Sequence, residues 1–378
     1  MIFSHISDTH LGLMQYGLEE RENDIYSAFN ESVDTSIRDH VDFVIFAGDI
    51  FHVPNPSGTA VIQMANALKR LKQNQIESFF VLGEHDISRI RSTPIPYVYH
   101  NLEFARYVGH GNPVVYKNVL IAGFDKIRKG EMPGFYDKFA LVDRAAKEHT
   151  GHRILIMHQG ISEINEFAGE LSSTDLPRNF TYYAMGHLHD QFLKQFSHLS
   201  GPVAYPGSIE TTTSEGVKET QKGFYEVDIS GSEAVPTWIK LDTRPQISQK
   251  TEFEMLEKTV SEILGRISTF SKKPIVELKI SGDSIESDLV HAQMARLAPH
   301  TLHYAWRLAQ NKGASSSVLL DRPSSIDDEL IRLAENCLGK GELATFAIKD
   351  LLPLLAASRT EEAGLLITER FERFKESK

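Results

Sequence analysis

Between Asp8 and His189 the chain runs an apolar segment straight into a short cluster of acidic residues, histidine and glycine five times. The clusters are Asp8-Thr9-His10, Gly48-Asp49 with His52, Gly83-Glu84-His85-Asp86, His158-Gln159-Gly160 and Gly186-His187-Leu188-His189. The runs before them (IFSHIS, DFVIFAGD, SFFVLG, RILIMH, YYAMGH) have the length and side-chain character of buried strands. Helical periodicity lies between them. Ile25, Phe29, Val33 and Ile37 recur every four residues within 19–40, and SGTAVIQMANALKRLKQ follows a capping Ser57. Strands alternating with helices predict an α/β layered domain with its site at the carboxyl ends of the strands. VLIAGF adds a strand, and PVAYPGS, GFYEVDI and PTWIKL, with no helices between them, predict an antiparallel portion completing a two-sheet sandwich.

The pattern changes near Thr243-Arg244-Pro245. TEFEMLEKTVSEILGRISTF reads as a helix opened by a Thr251/Glu254 capping box, with Leu256, Val260, Ile263 and Ile267 on one face. PIVELKISG, ESDLVHAQMARLAP and TLHYAWRLA read as strand, helix and strand. NKGASSS reads as a flexible linker, and the leucine-rich remainder as amphipathic helices. The expected organisation is therefore 1–245, a small α+β unit at 246–310, a linker at 311–324 and a helical tail at 325–378.

Residues i and i+2 of an extended chain point the same way. Asp8 and His10 therefore face one point, as do His187 and His189. Glycines beside Asp49, Glu84 and His187 let the backbone turn as each strand ends. A lone histidine at a strand end is more often a hydrogen-bonded loop residue than a ligand, but five such clusters in this order point to a metal site. Mixed carboxylate and imidazole donors suit manganese, iron or zinc. The donors are too many for one ion. Two ions about 3.5–4 Å apart can clamp the attacking and leaving oxygens of a phosphate ester.

The series DTH, GDIFH, GEHD, HQG and GHLH, followed by YPGSIE, resembles the calcineurin-like metallophosphoesterases and, more closely, the SbcD-type nucleases of DNA double-strand-break repair complexes. That resemblance implies a two-sheet sandwich flanked by helices, a capping domain and C-terminal ATPase-binding helices. By motif position it implies one metal on Asp8, His10, Asp49 and His189, and a second on Asp49, Glu84, His158 and His187, with Asp49 as the bridge. It implies His85 as the catalytic histidine, Asp86 as the group orienting it, and His52 as the residue positioning the phosphate. It further implies manganese as the working metal, 3′-to-5′ exonuclease and single-strand endonuclease action on DNA, a homodimer, and a coiled-coil ABC ATPase partner of the SbcC type docked on the tail.

Glu84 departs from the family motif, which reads GNHD. An ionised carboxylate there is expected to lower the charge of the two-metal shell from about +2 to about +1, tightening the second metal and weakening the pull on an anionic diester. The segment 56–75 is read either as a dimer face or as core through Val61, Met64 and Leu68. The tail either folds back or docks on the partner. Arg89 and Arg91, with Lys126, Arg128 and Lys129, are candidates for tracking DNA.

The net charge of -11 opposes nucleic-acid binding on its face, yet a metal centre supplies its own positive field. A single cysteine, Cys337, excludes an intrachain disulfide and a thiolate zinc site, and fits a cytoplasmic, nucleoid-associated location. The N-terminus lacks the pattern of a signal peptide, and no apolar run approaches the ~20 residues of a membrane span. Two other readings share these residues: a generic phosphoesterase acting on nucleotides or phosphoproteins, and a weakly active DNA-binding scaffold.

Overall fold

The computed structural model describes residues 1–88, 93–282, 284–308, 330–331, 334, 341–356 and 360–376. Arg89, Arg91, Cys337 and the linker 311–324 lie outside the described residues. The chain divides into two compact units, Met1–Gln310 and Asn311–Lys378.

The first unit opens with β1 (Ile2–Ile6), α1 (Glu19–Arg38), β2 (Phe43–Ala47), α2 (Gly58–Gln73), β3 (Glu77–Val81), α3 (Tyr97–Asn101) and β4 (Arg106–Tyr107). Next come β5 (Val114–Tyr116), β6 (Val119–Phe124), α4 (Tyr136–Glu148), β7 (His152–His158), β8 (Tyr182–Gly186), β9 (Phe192–Lys194), β10 (Val203–Tyr205), β11 (Gly223–Asp228) and β12 (Val235–Lys240). They form two six-stranded sheets, ordered β12-β11-β1-β2-β3-β4 and β5-β6-β7-β8-β10-β9. The central strands are parallel, with Ile6 beside Phe46 and His158 beside Gly186. Burial on both faces explains why β2 reads FVIFA with no alternation.

One apolar layer, with Phe3, Ile45, Ile121 and Ile156, glues the two sheets together. A second, with Phe29, Val33, Met64 and Leu68, joins α1 and α2 to the first sheet. A third, with Phe139 and Val142, joins α4 to the other sheet. The late strands do not build a sheet of their own. The segment GFYEVD extends the first sheet antiparallel to β1, VPTWIK pairs antiparallel with GFYEVD at the edge, and VAY joins the second sheet parallel to β8. The two-sheet sandwich holds, with both sheets mixed.

Beyond Pro245, β13 (Gln246–Glu252), α5 (Leu256–Ile267), β14 (Ile275–Ser281), α6 (Ser287–Ala295) and β15 (His303–Leu308) form a three-stranded parallel sheet with its own core. The Thr251/Glu254 capping box does not form. Thr251 belongs to β13, its hydroxyl meets Thr259, and the helix starts only at Leu256. Strand pairing with β14 claims the backbone that the box would have used. Met64 and Leu68 of α2 are core residues, leaving Val61 half-buried and Ile62 exposed. In the second unit the described segments are helical, and Leu343, Leu355, Leu365 and Phe371 are exposed.

A buried ionic network ties α1 to the third sheet. Arg21 donates to Asp24 at 2.6 Å, to Glu210 at 3.3 Å and to Gln15 at 2.9 Å. Arg244 grips the other oxygen of Asp24 at 2.8 Å and donates to the carbonyl of Lys273 at 2.6 Å. Arg21→Ala would take the guanidinium from buried Glu210 and leave Asp24 to Arg244 alone. Urea unfolding is expected to show a loss of about 3–5 kcal/mol, whereas Arg38→Ala at the surface should leave the midpoint nearly unchanged.

Glu226 on β11 is pushed up to about 7 by burial and then by the charge of Asp39. The native state therefore holds this proton more tightly than the unfolded chain. The associated stability is full below the ordinary glutamate range and is lost as the pH rises to about 7. The melting-temperature difference between Glu226→Gln and the parent should accordingly grow from near zero at acidic pH to a plateau above neutrality.

Candidate metal centre

The parallel pairing of β1 with β2 and of β7 with β8 sets four strand ends side by side, two from each sheet. The backbone then makes turns that side chains resist. Past these strand ends, Asp8 (φ 51), His10 (φ 42), Asp49 (φ 48) and His187 (φ 96) are left-handed without being glycine. Such conformations persist only where surrounding structure enforces them. Here the Asp8 amide donates to the Gly48 carbonyl and the His10 amide to the Asp49 carbonyl, stitching one strand end to its neighbour.

Asp49 lies at the middle of what results. His158 Nε2 is 3.3 Å from its carboxylate and His10 Nε2 is 3.8 Å away. On one side, His10 and His189 face each other, Nε2 to Nε2, at 3.1 Å, with Asp8 3.8 Å from His189. On the other, Glu84 lies 3.1 Å from His158 and 2.9 Å from His187. The donor atoms of Asp8, His10 and His189 fall within 4.8 Å of one another, as do those of Glu84, His158 and His187. His189 of the first group and Glu84 and His187 of the second border a cleft of about 570 Å³ that also reaches Asp49, His85, Glu215 and Lys218.

Tautomers follow from the hydrogen bonds. His158 Nδ1 meets the Ala47 carbonyl at 2.8 Å. A carbonyl only accepts, so Nδ1 carries the proton and Nε2 is turned into the cluster. That buried Nε2 has carboxylates beside it but no aligned hydrogen bond. His10 Nδ1 is likewise buried and unpartnered. A buried imidazole nitrogen, His158 Nε2, turned toward carboxylates without an aligned hydrogen bond, in a set of imidazole and oxygen donors, fits a divalent cation.

The charges are strongly skewed. Burial raises the Asp8 carboxyl, although His158 and His189 oppose the shift. Asp49 and Glu84 are also penalised by burial, yet the neighbouring imidazoles hold both below the usual carboxylate range.

Residues 1–219 match the calcineurin-like phosphoesterase family. The DNA double-strand break repair protein Mre11 of Saccharolobus solfataricus is 30 % identical over 79 % of this chain and 80 % of its own. Mre11 of Methanococcus maripaludis is 32 % identical over 73 % and 77 %, and that of Thermoplasma acidophilum 33 % over 74 % and 76 %. The chain belongs to the calcineurin-like phosphoesterases, on their Mre11 branch. The resemblance to SbcD-type nucleases is thus borne out, SbcD being the bacterial counterpart of Mre11.

Two side chains of this phosphoesterase differ from expectation. Asp86 does not hold the ring of His85. Its buried carboxylate instead accepts the amides of Ile50 (3.1 Å), Phe51 (2.9 Å) and Gly83 (3.0 Å), bracing the turns that carry Asp49 and Glu84. The ring of His85 is set by the His52 carbonyl, 2.7 Å from Nδ1, and stacks on His52 at 5.2 Å. Lys126 is not a free DNA contact, because Glu170 holds its ammonium at 2.7 Å.

The motifs also missed two supporting acids. Glu215 lies 3.6 Å from His189 Nδ1 and pairs with buried Lys222, whose ammonium donates to the His189 carbonyl at 2.8 Å. Thr212 and Glu215 form a capping pair, a spacing legible in TTSE. Glu170 sits 3.5 Å from His187 Nε2 and accepts the Gly160 amide at 2.8 Å. No local pattern marks it.

Gly48 (φ +85) lies where the sheets touch, and a Cβ there would meet the ring of His158 and the Gly83 amide. Gly48→Ala is expected to cost about 1–3 kcal/mol through overpacking, beyond the left-handed penalty. The His158 Nδ1 proton signal should shift as its bond to Ala47 breaks. Gly58→Ala, with open space around it, is the control. Equal urea midpoints for the two variants would refute the crowding argument.

Proposed function

We propose that the protein is a metal-dependent nuclease of DNA double-strand-break repair, acting as a 3′-to-5′ exonuclease on duplex ends and an endonuclease on single strands. The observation that carries this reading is the convergence on Asp49 of two donor groups, Asp8/His10/His189 and Glu84/His158/His187. Membership in a phosphoesterase family whose relatives are named as double-strand break repair proteins supports the substrate.

In this reading Asp8, His10, Asp49 and His189 would hold one divalent ion, and Asp49, Glu84, His158 and His187 a second, manganese being the expected metal. When bound, such ions supply positive charge opposite the phosphate and a water of lowered pKa. The remaining work falls to the protein. His85, with Nδ1 committed to the His52 carbonyl, keeps Nε2 to hold a proton for the leaving oxygen. Its own amide donates to Asp49 at 2.9 Å, fixing the distance between the acid and the cluster. His52, stacked on His85, lies where a scissile phosphate could be steadied.

The proposal extends to the chain's organisation: a nuclease domain at 1–245, a cap at 246–310, a linker at 311–324 and a tail at 325–378. The exposed leucines of the tail suit docking on a coiled-coil ABC ATPase. A homodimer would use the outward face of α2 at Ile62, since Met64 and Leu68 lie in the core and Val61 packs against it. A cytoplasmic, nucleoid-associated location accords with this role. Among the described residues no helix is long and apolar enough to cross a membrane.

The test compares manganese-dependent cleavage of end-labelled duplex DNA with turnover of a small chromogenic phosphodiester. Duplex cleavage should dominate. His85→Ala should reduce it about 10²–10⁴-fold with metal uptake unchanged, and Asp49→Ala should lose both. Turnover of the small diester without DNA cleavage would favour the generic phosphoesterase, and neither activity with metal bound would favour the scaffold.

A further inference from the structure

Lys126 is a cation placed against the cation-binding side chains themselves. It follows β6, its side chain is only 11 % exposed, and its ammonium reaches Glu170 at 2.7 Å and Glu84 at 3.5 Å. It also lies 3.2 Å and 3.1 Å from the two ring nitrogens of His187. Glu84 and His187 belong to one of the two donor groups around Asp49. A positive charge at such a distance repels any second cation there, and reduced access of water strengthens the effect. The same charge offsets Glu84, the third carboxylate of the cluster after Asp8 and Asp49. Glu170 keeps the ammonium from swinging to solvent, because it is itself tied to the strand-end loop through the Gly160 amide.

We propose that Lys126, anchored by Glu170 and facing Glu84 and His187, supplies the positive charge that sets how tightly the Glu84–His158–His187 position holds a divalent cation. This rests on the metal-centre reading above and alters one expectation drawn from the sequence. The extra negative charge of Glu84 is partly offset by an ammonium it shares with Glu170, so it tightens the second cation less than an unopposed carboxylate would. Lys126 acts here as a positioning residue, through its contacts with Glu84, Glu170 and His187.

The experiment titrates the full chain, stripped with chelator, with Mn²⁺ by calorimetry, with electron paramagnetic resonance as an independent count of bound ions. The proteins are the parent, Lys126→Met, Glu84→Gln and the double variant, with Lys126→Gln as a second neutral substitution and thermal melts as the folding control. The stronger-binding equivalent should stay within threefold in all of them. The weaker equivalent should tighten tenfold or more in Lys126→Met, where Glu84 is left unbalanced. It should weaken tenfold or more in Glu84→Gln, where a carboxylate donor is lost and the Lys126 ammonium stays. In the double variant it should recover at least threefold from Glu84→Gln, because the repelling ammonium is gone although the donor is still missing. If the double variant binds as weakly as Glu84→Gln, or neither Lys126 variant moves the weaker equivalent, the pairing is wrong. Failure of the parent to take up any Mn²⁺ is a different result: it would overturn the metal-centre reading itself.

Discussion

Two aspartates, Asp8 and Asp49, are each 1 % exposed at the ends of adjacent parallel strands, and the site is arranged around keeping them there. Buried carboxylates so close together are tolerated only if every oxygen is met by a donor or a cation. The His187 amide serves Asp8, the His85 amide serves Asp49, and the imidazoles of His158, His10 and His189 crowd the remaining sides. This is why both sheets are needed. β1 and β2 bring Asp8, His10 and Asp49, β3 brings Glu84, β7 and β8 bring His158, His187 and His189, and the His158–Ala47 hydrogen bond closes the seam between the layers.

Carboxylates in and around the site divide by what they hold. Asp8, Asp49 and Glu84 face the centre. Asp86 grips three backbone amides, Glu215 steadies His189 through Lys222, and Glu170 fixes both Lys126 and the Gly160 turn. The outer acids restrict the positions the inner donors can adopt, so the cluster is rigid because its backbone is braced as well as because its side chains are packed.

Much of this was readable from the chain. A polar cluster at the end of each of five apolar runs required strand ends on one side, and parallel pairing delivers that. Helix α2 and its Ser57 cap followed from local chemistry, with Ser57 accepting the Ala60 amide at 3.2 Å. What was illegible depended on partners distant in sequence. Thr251 had the local signature of a helix start, but pairing with β14 made it strand. Asp86 follows His85 directly, yet its partners lie across a turn, and adjacency in the chain was a poor guide to where a short side chain points. Glu170 meets Lys126 and His187 only because a loop folds back after Gly160, and Arg21 meets Glu210 from 189 residues away. The fate of GFYEVD and VPTWIK was hidden for the same reason: strand character does not say which sheet edge is free.

The left-handed backbone at Asp8, His10, Asp49 and His187 constrains how such a site can change. At each of these positions the residue satisfies two unrelated demands, one for a donor atom and one for a conformation that only glycine accepts freely. Exchange for alanine removes the donor and keeps the strain; exchange for glycine removes both, along with some of the crowding between like charges. Robustness and competence are thereby set against each other at these four positions. A lineage drifting toward a sturdier fold would find its easiest gains at the residues it can least surrender.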